Sequence, residues 1–185
     1  MAELHPLRSA FNAAADDDDE HWRTLNAQAE DLTQSQPTAV MPSLHHLSFR
    51  DFDQVYEPAE DTYLFLDALQ YEMKTSIKEA MGSAINQQPI ASCLEIGCGT
   101  GVVSTFFRSL WAKEMGRPLL SFVTDINPRA LEITQQTFHQ QAALLNNNNN
   151  GVLIRQQSVQ QVEAIQCDLA SCLRYQVSFI LFNPP

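Results

Sequence analysis

Residues 91–101 read ASCLEIGCGTG, an apolar run interrupted by Glu95 and followed by glycines at 97, 99 and 101. Ile90, Cys93, Leu94 and Ile96 suit a strand covered on both faces, because a parallel sheet packed between helices shows as a nearly continuous apolar stretch. A tight turn must follow. Gly97, Gly99 and Gly101 supply it, since a residue without a Cβ takes positive φ and lets backbone approach a ligand closely. Val102–Trp111 then reads as a helix whose first amides face that turn. A strand-to-helix turn that holds no ligand is the plainer reading of the same residues.

Outward from this stretch the chain offers three more strands. Leu119–Thr124 (LLSFVT) ends at Asp125, 28 residues past Gly97, where a Rossmann-type sheet places the acid that binds ribose hydroxyls. Val162–Cys167 (VEAIQC) ends in Asp168-Leu169, and Val177–Phe182 (VSFILF) ends in Asn183-Pro184-Pro185. In the expected order 3-2-1-4 the VEAIQC strand lies at an edge, where unpaired backbone groups can recruit a partner. Asn127 and Pro128 read as the cap and first position of a helix running through Ala142. Upstream, Pro58 is expected in the first turn of another helix, with Glu57, Glu60 and Asp61 near its start and Tyr63, Leu64, Leu66 and Leu69 on its apolar face. The charged cluster Glu57–Thr62 reads as a lid over a cofactor. A second short helix with a loop is expected over Lys74–Gln88, and a flexible surface loop from Asn146 to Gly151.

Composition narrows the function classes. The chain has 185 residues, 44% of them hydrophobic, enough for one domain-sized core. Its net charge of -11 argues against a bare nucleic-acid binder, which needs clustered Lys and Arg on phosphates. Residues 1–40 carry eight acids and two bases, including the run Asp16–Glu20, and read as a disordered acidic extension preceding a folded part over 41–185. Cys93, Cys98, Cys167 and Cys172 form two C-x4-C pairs, a spacing typical of neither a zinc knuckle nor a redox C-x-x-C, and are read as reduced with no metal. No apolar run approaches the ~20 residues of a membrane span, and no signal-peptide core opens the chain, so a cytosolic or nuclear location is expected.

Asn183-Pro184-Pro185 is the second informative stretch. Two prolines fix φ and remove two amide donors, leaving rigid carbonyls beside a carboxamide. The Asn183 oxygen and the Pro184 carbonyl suit a ligand that carries an NH2 group; a strand simply ended by prolines is the alternative. The loop spacing discriminates as well. A dinucleotide fingerprint sets its third glycine five residues after the first, whereas Gly101 comes four after Gly97. Glu95-x-Gly97-x-Gly99-x-Gly101 looks instead like the first motif of S-adenosylmethionine-dependent methyltransferases.

Taken together, VYEPAEDT (55–62), LEIGCGTG (94–101), TDINP (124–128), CDL (167–169) and FNPP (182–185) resemble the HemK-like glutamine N5-methyltransferases, in the eukaryotic branch that modifies a class I peptide-chain release factor. The resemblance covers residues 44–185 and implies a Rossmann-like α/β methyltransferase fold with S-adenosyl-L-methionine as cofactor and no metal. It places Thr62, Glu95 and Gly97 at the methionine part of the cofactor with Gly99 and Gly101 in the loop, Asp125 at the ribose, and Asp168 with Leu169 at the adenine. Asn183, with Pro184 and Pro185, would hold the glutamine amide of a Gly-Gly-Gln loop, and Asn183 would border the cofactor as well. It also implies a small zinc-binding activator subunit pairing with an edge strand, for which Val162–Cys167 is the candidate. The family pattern has an aromatic after Asn-Pro-Pro and further strands beyond it, so the expectation is a chain truncated after the fourth strand and inactive alone. An adenine N6-methyltransferase, which applies the same motif to a flipped base, and a non-catalytic fragment that binds the activator remain the alternatives.

Overall fold

The computed structural model describes residues 41–84, 90–148 and 162–184. The acidic extension over 1–40, the Gln/Asn-rich stretch from Asn149 to Gln161 and Pro185 lie outside the described residues. At the centre is strand β1 (Ala91–Ile96), flanked by β2 (Leu119–Asp125) on one side and β4 (Phe179–Phe182) on the other, with β3 (Val162–Gln166) beyond β2. All pairings are parallel and the order is β3-β2-β1-β4, the order expected of a Rossmann-type doubly wound sheet. The register matters for function. Ile96 pairs with both Thr124 and Phe182, so Gly97, Asp125 and Asn183 leave the sheet side by side at its C-terminal edge.

Helix α1 (Phe49–Phe52) is a single turn; α2 (Glu60–Glu72) runs through a π-helical turn at Met73–Ile77 into α3 (Lys78–Ala84). Thr62, Leu66, Leu69 and Met73, at helical spacing, are the buried positions. Two expectations change here. Pro58 lies ahead of the helix, whose N-cap is Ala59, and Tyr63 and Leu64 face outward, Leu64 with 71% of its surface exposed. The expected break before Lys74 is absent because no Gly or Pro stands between Ala59 and Met81 to end the helix.

Helix α4 (Val102–Met115) begins at Gly101 (φ 73°) and runs one turn past the expected Trp111 to Gly116 (φ 62°), a left-handed stop. It buries Val102, Val103, Phe106, Phe107, Leu110 and Trp111. Phe179 of edge strand β4 sets its ring edge against Phe107 (5.4 Å) and Trp111 (5.3 Å), and with buried Leu181 ties β4 to that core. Helix α5 (Pro128–Asn148) starts as expected, with the Arg129 N–H donating to Asn127 Oδ1 at 3.0 Å. It continues through Asn148, so the first residues of the expected surface loop are helical.

The two faces of the sheet are buried unequally. Ala91, Cys93, Leu119, Val123 and Leu181, one face by strand alternation, pack with residues of α2, α4 and α5. On the opposite face Leu94 and Thr124 are buried at the centre, whereas Ile180 and Phe182 of β4 are 63% and 51% exposed. Ile90 precedes β1 and is exposed too. A wholly apolar run shows that a strand is central, but does not specify what lies above each face. β4 is also two residues shorter than expected, although the Ser178 N–H still donates to the Ser92 carbonyl at 2.9 Å.

Candidate functional site

Four loops meet at the C-terminal edge of the parallel sheet, the position where open α/β sheets bind ligands. The first is the glycine loop. Gly97 and Gly99 have φ of 70° and 51°, and a Cβ built on either meets nothing within 4 Å, so the space above both is open to a ligand. Gly101 is needed for packing instead: a Cβ there would fall 2.7 Å from Thr134 Cγ2. The loop is braced by Gly97 N–H to the Thr124 carbonyl (2.8 Å) and Gly101 N–H to the Cys98 carbonyl (2.7 Å).

Glu95 sits under this loop with 3% of its surface exposed, and its Oε2 accepts the Ser104 N–H at 3.2 Å. Burial pushes its carboxyl up to about 8, the Ser104 hydrogen bonds opposing the shift and the Asp125 charge adding to it. A cation bound beside it would draw this carboxyl back toward ionisation. Asp125, at the end of β2, uses Oδ2 to accept the Gly99 N–H (3.2 Å) and Oδ1 to accept the Asn127 N–H (2.9 Å). It thereby fastens the glycine loop to the start of α5.

Asn183 follows β4. Its Nδ2 donates to Asp61 Oδ2 (3.2 Å) and lies 3.4 Å from Thr62 Oγ1, both at the start of α2. A carboxylate only accepts, so the NH2 group must be the one facing Asp61, which turns the carboxamide oxygen away. Asp61 in turn accepts the Tyr56 hydroxyl at 3.1 Å. Burial by itself would raise the Asp61 carboxyl, but hydrogen bonds from Tyr56, Asn183 and the Thr62 backbone outweigh it and hold the group below its ordinary value. This bridge was not foreseen. Asp61 was visible only as one charge of the Glu57–Thr62 cluster, and its partner lies 122 residues away.

The segment preceding α2 is clamped to the opposite side of the site. Arg129 reaches Asp51 Oδ1 (2.6 Å) and Glu132 (2.6 Å), and the Asn127 Nδ2 donates to the Gln54 carbonyl (2.7 Å). Hydrogen bonds from Arg129 and from the Ser48 backbone and hydroxyl hold the Asp51 carboxyl far below its usual range. Asp168 and Leu169 lie in the loop after β3, both exposed, Leu169 with φ 50°. The Cys167 N–H donates to the Asp125 carbonyl at 3.2 Å, which brings this loop to the same edge. Pro184 is exposed beside Asn183, and Pro185 is outside the described residues. Among the described residues no group of three or more His, Cys, Asp or Glu forms a metal site, and no helix is long and apolar enough to cross a membrane.

Over about half its length the chain matches known methyltransferases. It is 39% identical over 101 residues to Methyltransferase HEMK2 of Mus musculus, spanning 55% of this chain and 40% of that protein. The identity to the Homo sapiens HEMK2 is 40% over 92 residues, spanning 50% and 36%. With the eRF1 methyltransferase catalytic subunit mtq2 of Schizosaccharomyces pombe it is 34% over 96 residues, spanning 52% and 38%. This chain is related to the HEMK2 and mtq2 methyltransferases.

The matched region spans about two fifths of those relatives' length. No protein-family model matches the chain. Among solved structures, one described as an S-adenosyl-L-methionine-dependent methyltransferase from Methanococcus maripaludis aligns with a TM-score of 0.32 and 15% identity over 68% of this chain and 52% of that one. Kinship with methyltransferases supports S-adenosyl-L-methionine as the cofactor. The residues present fit it: open backbone over Gly97 and Gly99, a buried carboxyl at Glu95, and a carboxylate at Asp125 on the neighbouring strand.

Proposed function

We propose that this chain forms the methyl-donor site and the acceptor-amide anchor of a methyltransferase that modifies a glutamine side chain in a peptide-chain release factor. The observation that carries the proposal is Asn183. With its NH2 group taken by Asp61 and Thr62, its Oδ1 is left to accept an N–H from a bound amide beside the glycine loop. The mtq2 relative, named for eRF1, supports the choice of substrate.

The roles follow from position. Glu95 would bind the ammonium end of the cofactor, Gly97 and Gly99 would let its backbone neighbours approach closely, and Thr62 would close the site from α2. Asp125 would accept ribose hydroxyls, and Asp168 with Leu169 would border the adenine. The cofactor supplies an electrophilic methyl group on a sulfonium. Asn183 Oδ1 and the Pro184 carbonyl would align the glutamine nitrogen with that methyl and draw density onto it, so the rate gain comes mainly from proximity and orientation. The place of β3 at the edge of the sheet among the described residues supports the proposal of a small activator subunit docking there by strand pairing.

A chimera tests this reading: the matching segment of the mtq2 subunit is replaced by that of this chain and assayed for tritiated methyl transfer to a release factor with a Gly-Gly-Gln loop, with the activator present. Transfer to the glutamine is expected, and Asn183→Ala should lower it by about a hundredfold or more with S-adenosylhomocysteine affinity kept. Full transfer by the Asn183→Ala chimera would remove the anchor. On its own, the 185-residue chain is proposed to bind cofactor without turnover.

A further inference from the structure

The loop after β3 contains a feature the methyl-transfer reading does not use. The Cys172 thiol donates to Cys167 Sγ at 2.8 Å, less than about 1 Å longer than the ~2.05 Å of a disulfide bond. Sequence spacing alone gives no reason for such closeness; the backbone provides it. The Ser171 N–H donates to the Asp168 carbonyl (3.0 Å), the Leu173 N–H to the Ala170 carbonyl (3.0 Å), and Leu169 adopts φ 50°, folding the chain back so that the ends of C-x4-C meet. Cys172 is exposed and Cys167 half-buried, so an oxidant can reach the pair. Cys93 and Cys98 are different: both are buried, and burial, then the charge of Glu95, pushes their thiols up and makes them inert.

We propose that Cys167 and Cys172 are a redox modification site, a thiol pair that a peroxide converts to an intrachain disulfide closing the Asp168–Ser171 loop. The chemistry balances. Cys167, which accepts the Cys172 S–H, attacks a peroxide oxygen as the thiolate; the O–O bond breaks and hydroxide leaves, giving a sulfenic acid. The Cys172 sulfur then attacks Cys167 Sγ, the S–O bond breaks, and a second hydroxide leaves and takes up the Cys172 proton. Two thiols are oxidised by two electrons, and the peroxide is reduced to two waters. A dithiol reductant reverses the step by thiol–disulfide exchange. The ring so closed contains Asp168 and Leu169, so oxidation fixes the loop assigned above to the adenine; this consequence, unlike the disulfide itself, rests on the proposed function.

The test uses the 185-residue chain, hydrogen peroxide, iodoacetamide quenching and tryptic mass spectrometry. Both cysteines fall in one tryptic peptide, 156–174, and Cys93 with Cys98 in another, 79–108, which serves as the internal control. Peptide 156–174 should lose two hydrogens and escape alkylation, regain both with dithiothreitol, and fail to lose them in Cys172→Ser, while Cys93 and Cys98 in 79–108 remain thiols that alkylate once the chain is unfolded. Stepwise oxidation of the two sulfurs to sulfinic or sulfonic acids without loss of two hydrogens, or crosslinking only between chains, would overturn the proposal. A parallel arm adds S-adenosylhomocysteine. Slower disulfide formation is expected; a disulfide that forms at the same rate would overturn the adenine assignment of Asp168 and Leu169 and leave the thiol pair standing.

Discussion

Replacing Glu95 with glutamine should stabilise the protein near neutral pH even though it alters a buried, hydrogen-bonded side chain. The folded-state carboxyl is raised from 4.5 to about 8 by burial, with the Ser104 hydrogen bonds only partly opposing. The folded state therefore holds this proton over a pH range where the unfolded chain releases it. Stability from this group is fully present below about pH 4.5 and is lost as pH rises through 8. Between about pH 5 and pH 7.5 the loss integrates to roughly 3 kcal/mol at ~1.4 kcal/mol per unit. Glutamine keeps the oxygen that accepts the Ser104 N–H and does not titrate. The assay is thermal unfolding of the wild type and Glu95→Gln at both pH values, taking the difference in Tm so that other titrating groups cancel. At about 2–4 °C per kcal/mol for a domain of this size, the advantage of the variant should grow by roughly 6–12 °C toward the higher pH. A difference that stays constant, or that grows toward acid, would refute the reasoning.

Cofactor binding should release a proton near neutral pH, because an ammonium beside Glu95 draws its carboxyl back toward ionisation; titration calorimetry of S-adenosylhomocysteine in buffers of different ionisation enthalpy should resolve on the order of one proton. Gly101→Ala should cost roughly 2–4 kcal/mol in denaturant unfolding, combining left-handed strain with the 2.7 Å approach to Thr134, whereas Gly97→Ala should cost only the strain, about 1 kcal/mol. Asp61→Ala should leave the sheet intact but shift and broaden the side-chain NH2 resonances of Asn183, with S-adenosylhomocysteine affinity changed by less than about threefold, under 1 kcal/mol.

How much of this was legible in the sequence depends on the range of the interaction. The four strands were readable because each is an apolar run closed by a polar or turn residue, their order because the fold class they imply has a standard one, and the Asn127-Pro128 helix start because its cap acts two residues away. Glu95, the glycine loop and Asp125 were readable as a local motif. The coverage of the sheet was not, because an unbroken apolar run carries no alternation to show which face is packed. The bridge from Asp61 to Asn183 and the clamp from Arg129 to Asp51 join segments 122 and 78 residues apart. Such pairings are decided by the folded sheet, and no local spacing encodes them. Pro58 misled for the opposite reason: a favourable first-turn residue was present, but the helix began two residues later at Glu60.

The most direct measurement of the central claim is a calorimetric titration of the chain with S-adenosylhomocysteine and, separately, with NADH, repeated on Asp125→Ala. The site built from Glu95, Gly97, Gly99 and Asp125 predicts binding of S-adenosylhomocysteine in preference to NADH, weakened in the variant by about 1–3 kcal/mol, the loss typical of hydrogen bonds to a charged group. Tighter binding of NADH, or an S-adenosylhomocysteine affinity indifferent to Asp125, would contradict it.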